Sequence, residues 1–300
     1  MDDANVSRIC YRQQRTLGKP VAVWGTGFLT GATVHLRFLP APPCSGVVFV
    51  RTDLTPRVEI PAHIDQVTGT KRRTTLGQPP AQIGLVEHVL AALAGLRIDN
   101  CRVELDAPEP PGLDGSAQQF VQVLQEAGTV LQPARRELWR VASPIVLTAG
   151  TATLALHPAT DNELTLSYFL DYGPQSPIAR QVHTQTLTPA AFTRDIAPCR
   201  TFILESEAEE LRRQGLGART TAADLLVFGP RGPIDNQLRF ANEPSRHKVL
   251  DMVGDLALLG VDLAGHVVAC RSGHPLNVEL VRTLHQQRAA SRWEPQRLAA

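Results

Sequence analysis

The chain alternates between two periods of apolar residues. Val34, Leu36 and Phe38 are separated by His35 and Arg37, the two-residue period of a half-buried strand. Val47 to Val50 is a fully apolar strand candidate, and Cys101 to Leu105 is another strand. Gly25-Thr26-Gly27 and Thr30-Gly31 mark turns. A helix is expected from Val86 to Leu96. Ser116 and Gln119 form an S-x-x-Q capping box ahead of Phe120, Val123, Leu124 and Ala127, which recur at helical spacing until Gly128 stops them. Leu131 to Arg136 has the composition of a linker.

The second half repeats this plan. Strands are expected at Leu138–Leu147, with Pro144 interrupting it or placing it at an edge, and at Thr151–Leu156 and Leu164–Leu170. Thr188 caps and Pro189 opens a helix, and another runs from Glu205 to Gln214 and ends at Gly215. Strands near Leu225–Phe228 and Val267–Cys270 flank a helix that starts near Pro244 and ends before Gly260. Residues beyond about Gln286 are polar and arginine-rich, as in a fraying tail. Under one constant shift, Leu93, Ala94, Leu96 and Asp99 recur as Leu256, Ala257, Leu259 and Asp262, and His88 falls on Asp251. The expected fold is therefore α+β, with two related halves facing each other across a site.

Composition narrows the functional classes. The 300 residues, 43% hydrophobic, fit two domains of ordinary size, here 1–132 and 133–285, followed by a tail at 286–300. A formal net charge of +1 gives no electrostatic case for nucleic acid. The five cysteines are scattered without a C-x-x-C pair, so neither a disulfide framework nor a thiolate zinc site is indicated, and a reducing cytoplasm fits best. No stretch reads as a secretory signal or approaches the roughly 20 apolar residues of a membrane span.

Within the helix after Pro244, His247, Asp251 and Asp255 are spaced four apart and share one face. An imidazole and a carboxylate one turn apart are half of a metal site, and Glu87-His88 offers a third ligand and a base. Zinc hydrolases need three protein ligands and one open position, where the metal brings the pKa of water to about 7. His274, on a Gly-Pro-flanked turn, is placed to protonate a leaving amine, with Asp255 to hold its tautomer. The Thr201 hydroxyl could donate to an oxyanion. Taken singly, each of these also fits an ordinary surface pair or loop residue.

Their order along the chain resembles the UDP-3-O-acyl-N-acetylglucosamine deacetylase (LpxC) family. The resemblance rests on Gln14–Leu17, Gly27–Gly31, Arg51–Leu54, Val86-Glu87-His88, Ala91–Leu96, Leu113–Ala117, Arg200-Thr201-Phe202, Arg246–Asp251 and Ser272-Gly273-His274. It implies that His88, His247 and Asp251 bind Zn2+, that Glu87 is the general base and that His274, oriented by Asp255, is the acid. It further implies that Lys248 and Thr201 polarise the acetyl carbonyl and that Phe202 sits near the acyl entrance. Tyr172 would lie against uracil and Arg271 near the diphosphate. The implied fold is two similar two-layer α/β sandwich domains with the site at their interface and a βαβ insert, here about 201–226. The implied substrate is UDP-3-O-[(3R)-3-hydroxyacyl]-N-acetylglucosamine, acted on by a cytoplasmic monomer without a transmembrane segment. Alternatives are a zinc deacylase of another sugar amide or a non-catalytic nucleotide-sugar binder. Leu29, Gly84-Leu85 and Ala218-Arg219 depart from the family pattern.

Overall fold

The computed structural model describes residues 6–290, so 291–300 of the predicted tail lie outside the described residues. The first half contains β1 (Val6–Leu17), β2 (Val21–Thr26), β3 (Thr33–Pro40), β4 (Val47–Arg51), β5 (Val58–Pro61), β6 (Val67–Gly69), β7 (Thr75–Leu76), α1 (Glu87–Gly95), β8 (Cys101–Leu105) and α2 (Gln118–Ala127). The second contains β9 (Thr129–Val141), β10 (Ile145–Ala149), β11 (Ala152–His157), β12 (Leu164–Leu170), β13 (Gln181–Thr186), α3 (Pro189–Ala191), β14 (Phe202–Leu204), α4 (Glu205–Arg213), β15 (Leu226–Gly229), β16 (Gly232–Pro233), α5 (Glu243–Leu256), β17 (Asp262–Cys270) and α6 (His274–Ala290). The architecture is mixed α+β.

One sheet runs in the order β2-β3-β8-β4-β5, with β8 antiparallel to β3 and parallel to β4. In the other, β17 lies between β11, antiparallel, and β12, parallel; β10 pairs with β11 and β13 with β12. Alternation along β3 is borne out: Val34, Leu36 and Phe38 are fully buried, and Phe38 meets Phe120 of α2 edge-on. Almost every side chain of α1 is buried, as expected of a helix apolar on all sides. It packs against α5, and this helix pair forms the centre of the molecule.

Several expectations are corrected. The stretch Leu131–Arg136 is not a linker but the middle of β9, which pairs along β1. The register shifts near Pro133, where the missing N–H cannot serve the ladder. The boundary between 132 and 133 therefore falls inside a strand. Ser116 does not close a capping box: its hydroxyl accepts from Gln118 N and donates to Asp114, and α2 begins without a side-chain cap. Gly25 and Thr26 end β2 rather than forming a turn. Residues 286–290 continue α6 rather than a tail. The insert is observed as a parallel pair, β14 and β15, with α4 between them, and β16 added antiparallel; its closing strand runs to Gly229.

Candidate active site

The site forms where α1 and α5 cross. Their closeness depends on Gly254: a Cβ there would lie 2.1 Å from the Glu87 carbonyl oxygen, so only glycine admits the contact. Leu85, with φ of 56°, turns the chain into the left-handed region just before α1, and Glu87 and His88 occupy the helix's first turn. Across from them, His247, Asp251 and Asp255 line one face of α5. All five residues are buried.

His88, His247 and Asp251 converge as the sequence predicts. His247 Nε2 is 3.3 Å and His88 Nε2 3.7 Å from Asp251 Oδ1, and the two rings are 5.0 Å apart edge-on. Their donor atoms all lie within 4.8 Å of one another. His247 Nδ1 is 3.0 Å from the Cys199 carbonyl, an acceptor that fixes the proton on Nδ1 and leaves the Nε2 lone pair for a metal. Burial lowers the His88 pKa even against the pull of Asp251, which favours the neutral, ligating ring. Burial opposes ionisation of Asp251, yet Lys248 and His247 hold its carboxyl well below the usual range. Two imidazoles and a carboxylate suit Zn2+.

Beside this set stands a second. His274 Nε2 lies 3.8 Å from Glu87 Oε1, and His274 Nδ1 donates to Asp255 Oδ2 at 2.8 Å. His274 is the first residue of α6 rather than a loop histidine. Burial pushes the Glu87 carboxyl up to about 7, with His274 pulling it down and Asp255 and Asp251 pushing it further up. Burial disfavours the charged His274 ring, but Asp255 and Glu87 outweigh it and raise its pKa to about 9.

Two supporting residues were not singled out from the sequence. Thr74 donates its N–H to Glu87 Oε2 at 3.1 Å and its hydroxyl to Asp255 Oδ1 at 2.6 Å, joining the two carboxylates. Asn277, one turn into α6, donates to Asp255 Oδ2 at 2.9 Å. Nothing in their local sequence sets these two apart from other threonines and asparagines. His274-x-x-Asn277 on one helix face becomes informative only once α6 is known.

Lys248 Nζ donates to Asp251 Oδ2 at 2.8 Å and lies 5.4 Å from the Phe202 ring centroid. Its pKa is raised because Asp251 outweighs the cost of burial. Phe202 also meets His247 at 6.2 Å and Tyr172 at 6.0 Å. Thr201 precedes it, with its N–H on the Gly115 carbonyl at 2.7 Å. The segment is anchored by buried Arg200, whose Nε donates to Glu243 Oε1 at 2.8 Å. Arg271 is tied to Asp171 at 2.6 Å, next to Tyr172 on the rim.

The three departures have local accounts. Leu29 is held through its backbone: its N–H goes to Glu109, and its carbonyl accepts from Gly217 N at 3.1 Å. Arg219 donates to the Gly31 carbonyl at 2.8 Å, so the substitutions at 29 and 219 belong to one contact between the N-terminal loop and the insert. At position 84, a Cβ would lie 3.1 Å from Arg73 Nε, so glycine leaves room for that side chain.

Comparison with known proteins agrees with this arrangement. The family model for UDP-3-O-acyl N-acetylglycosamine deacetylase matches residues 14–286. The chain is 40% identical over 277 residues to the UDP-3-O-acyl-N-acetylglucosamine deacetylase of Trichormus variabilis, covering 91% of this chain and 98% of that protein. It is 41% identical to the protein of the same name from Anaeromyxobacter sp. over 273 residues, covering 91% and 88%. The corresponding protein of Thermosynechococcus vestitus is 40% identical over 275 residues, covering 92% and 95%. With its zinc-compatible ligand set and a match that spans nearly its whole length, this chain belongs to the UDP-3-O-acyl N-acetylglycosamine deacetylase family.

Proposed function

We propose that His88, His247 and Asp251 hold one zinc ion, with Glu87 and His274 as the proton-handling pair. The chain then hydrolyses the N-acetyl group of UDP-3-O-[(3R)-3-hydroxyacyl]-N-acetylglucosamine, releasing acetate in lipid A biosynthesis. Zinc, when bound, polarises the acetamide carbonyl and lowers the pKa of water towards 7.

The residues then divide the work. Glu87, whose pKa of about 7 suits a base near neutrality, takes a proton from the attacking water. Thr74 N–H holds its Oε2 and orients the carboxylate. Lys248 keeps its charge through Asp251 and, with the Thr201 hydroxyl, stabilises the oxyanion. His274, protonated at neutral pH and held at Nδ1 by Asp255, gives its Nε2 proton to the leaving nitrogen. Transfer of the proton from Glu87 to His274, 3.8 Å away, restores both groups. Phe202 and Tyr172 form an apolar rim suited to acyl chain and base, and Arg271 beside them faces the diphosphate. The β14-α4-β15 insert walls the acyl passage.

The observation that carries this reading is the buried Glu87–His274–Asp255 chain directly beside a buried His-His-Asp set, assembled from α1, α5 and α6. Glu87→Gln should retain zinc and lose turnover; turnover close to wild type would defeat the mechanism. Acetate release from the UDP-acyl sugar, measured against simple N-acetyl sugars, separates this substrate from another sugar amide.

We also read the chain as two related halves, 1–132 and 133–285, working as a cytoplasmic monomer. The matching strand orders β2-β3-β8-β4-β5 and β10-β11-β17-β12-β13 support the duplication. So does the shift that places His88 on Asp251, the two ligands that face each other. No described helix is long and apolar enough to cross a membrane.

A further inference from the structure

A second group of two imidazoles and one carboxylate lies outside the reaction site. His63 caps the one-turn helix Ile64–Gln66 of the first half, Asp65 lies within it, and His285 lies on α6 of the second. One donor atom from each lies within 4.8 Å of the other two. His63 Nδ1 is 3.2 Å from Asp65 Oδ2, His285 Nε2 is 4.0 Å from Asp65 Oδ1, and the two rings are 5.0 Å apart edge-on.

We propose that His63, Asp65 and His285 form a second, half-exposed binding site for a divalent transition-metal cation, which clips α6 to the first half of the chain. The donors decide the class of ion. Imidazole nitrogen with one carboxylate oxygen suits Zn2+, Ni2+ or Cu2+, whereas Mg2+ and Ca2+ call for a shell of oxygens. A zinc ion about 2.0–2.1 Å from each donor would set them about 3.4 Å apart in tetrahedral geometry. Only modest rotation is needed from the present spacing, and Asp65, 67% exposed, has the room to make it, while His63 Nδ1 also accepts the Asp65 N–H at 3.4 Å. Water would complete the shell. The site shares no residue with the reaction site, so it stands or falls independently of the mechanism above.

The test titrates metal-free protein with Zn2+, and with Co2+ followed by its visible absorption. The wild type should bind one equivalent more than His63→Gln, Asp65→Asn or His285→Gln at the same free metal concentration. All four proteins should keep the equivalent that accompanies acetate release, and their turnover at one equivalent should be equal. Metal beyond the first equivalent should raise the wild-type Tm and leave that of Asp65→Asn unmoved. Asp65 is exposed enough that this variant keeps its fold even if a histidine variant does not. Equal stoichiometry in wild type and Asp65→Asn overturns the proposal, as does a further equivalent that survives in the His63→Gln/His285→Gln protein, since that ion would lie elsewhere.

Discussion

The molecule holds two groups of the same composition, His88-His247-Asp251 and His63-Asp65-His285, in very different surroundings. The first is buried. A carbonyl fixes the tautomer of one ring, Lys248 braces the carboxylate, and Glu87 and His274 stand alongside. The second faces solvent at its carboxylate. The contrast teaches that the same three ligand types can stand at the surface or be buried beside a chain of hydrogen-bonded titratable groups, and only the buried set has Glu87 and His274 next to it. Burial is what brings Glu87 to about 7, and the Asp255 contact is what keeps His274 charged beside it.

That difference can be broken by degrees. Replacing a ligand acts hardest: His247→Ala should lose both zinc and turnover, while His285→Ala should leave turnover intact, as metal analysis with an acetate-release assay would show. Glu87→Gln should lower kcat by about 10²–10⁴-fold with zinc retained. Asp255→Asn leaves acid and metal in place but loosens the imidazole, and a fall of roughly 10- to 100-fold is expected, the range for groups that orient a neighbour.

The pH profile sharpens the same point. Glu87 must be ionised, so activity rises as pH climbs through about 7; His274 must be protonated, so activity falls as pH passes about 9. The charge of bound zinc moves both limbs to lower pH. Residual activity of Glu87→Gln should lack the acid limb and that of His274→Gln the alkaline limb. A limb that persists in its variant belongs to another group.

Legibility in the sequence followed the source of each signal. Strands β3, β8 and β12 could be read because their burial is written in local apolar residues. Strand β1 and the part of β9 before Leu138 could not: Arg12 and Arg136 are charged in sequence but partly buried in structure, because Asp99 and Asp262 neutralise them from far along the chain. Helix α6 carried a usable signal that went unread, Pro275 in its first turn and buried Leu276, Leu280 and Leu284 at four-residue spacing. The proposed metal ligands were legible because His247 and Asp251 lie one turn apart on one helix. Gly254 lies in the same stretch, yet its meaning depends on the Glu87 carbonyl, which no local pattern reveals.

The smallest effect expected lies at the mouth of the site. Arg72, between β6 and β7, pairs with Glu207 of α4 at 2.9 Å and so ties the first half to the insert. Both side chains are well exposed, 50% and 36%, so the pair contributes no more than about 1 kcal/mol and is screened by salt. Glu207 also accepts from Leu204 N at 3.2 Å and thereby caps α4, so altering the glutamate would confound two roles. Arg72→Ala isolates the tie. It should raise KM for the acyl substrate no more than about fivefold, leave kcat unchanged, and lose its difference from wild type as salt is raised. A fall in kcat instead would mean that the insert's position reaches the buried proton chain, and that the wall between the exposed and the buried regions is thinner than their hydrogen bonds imply.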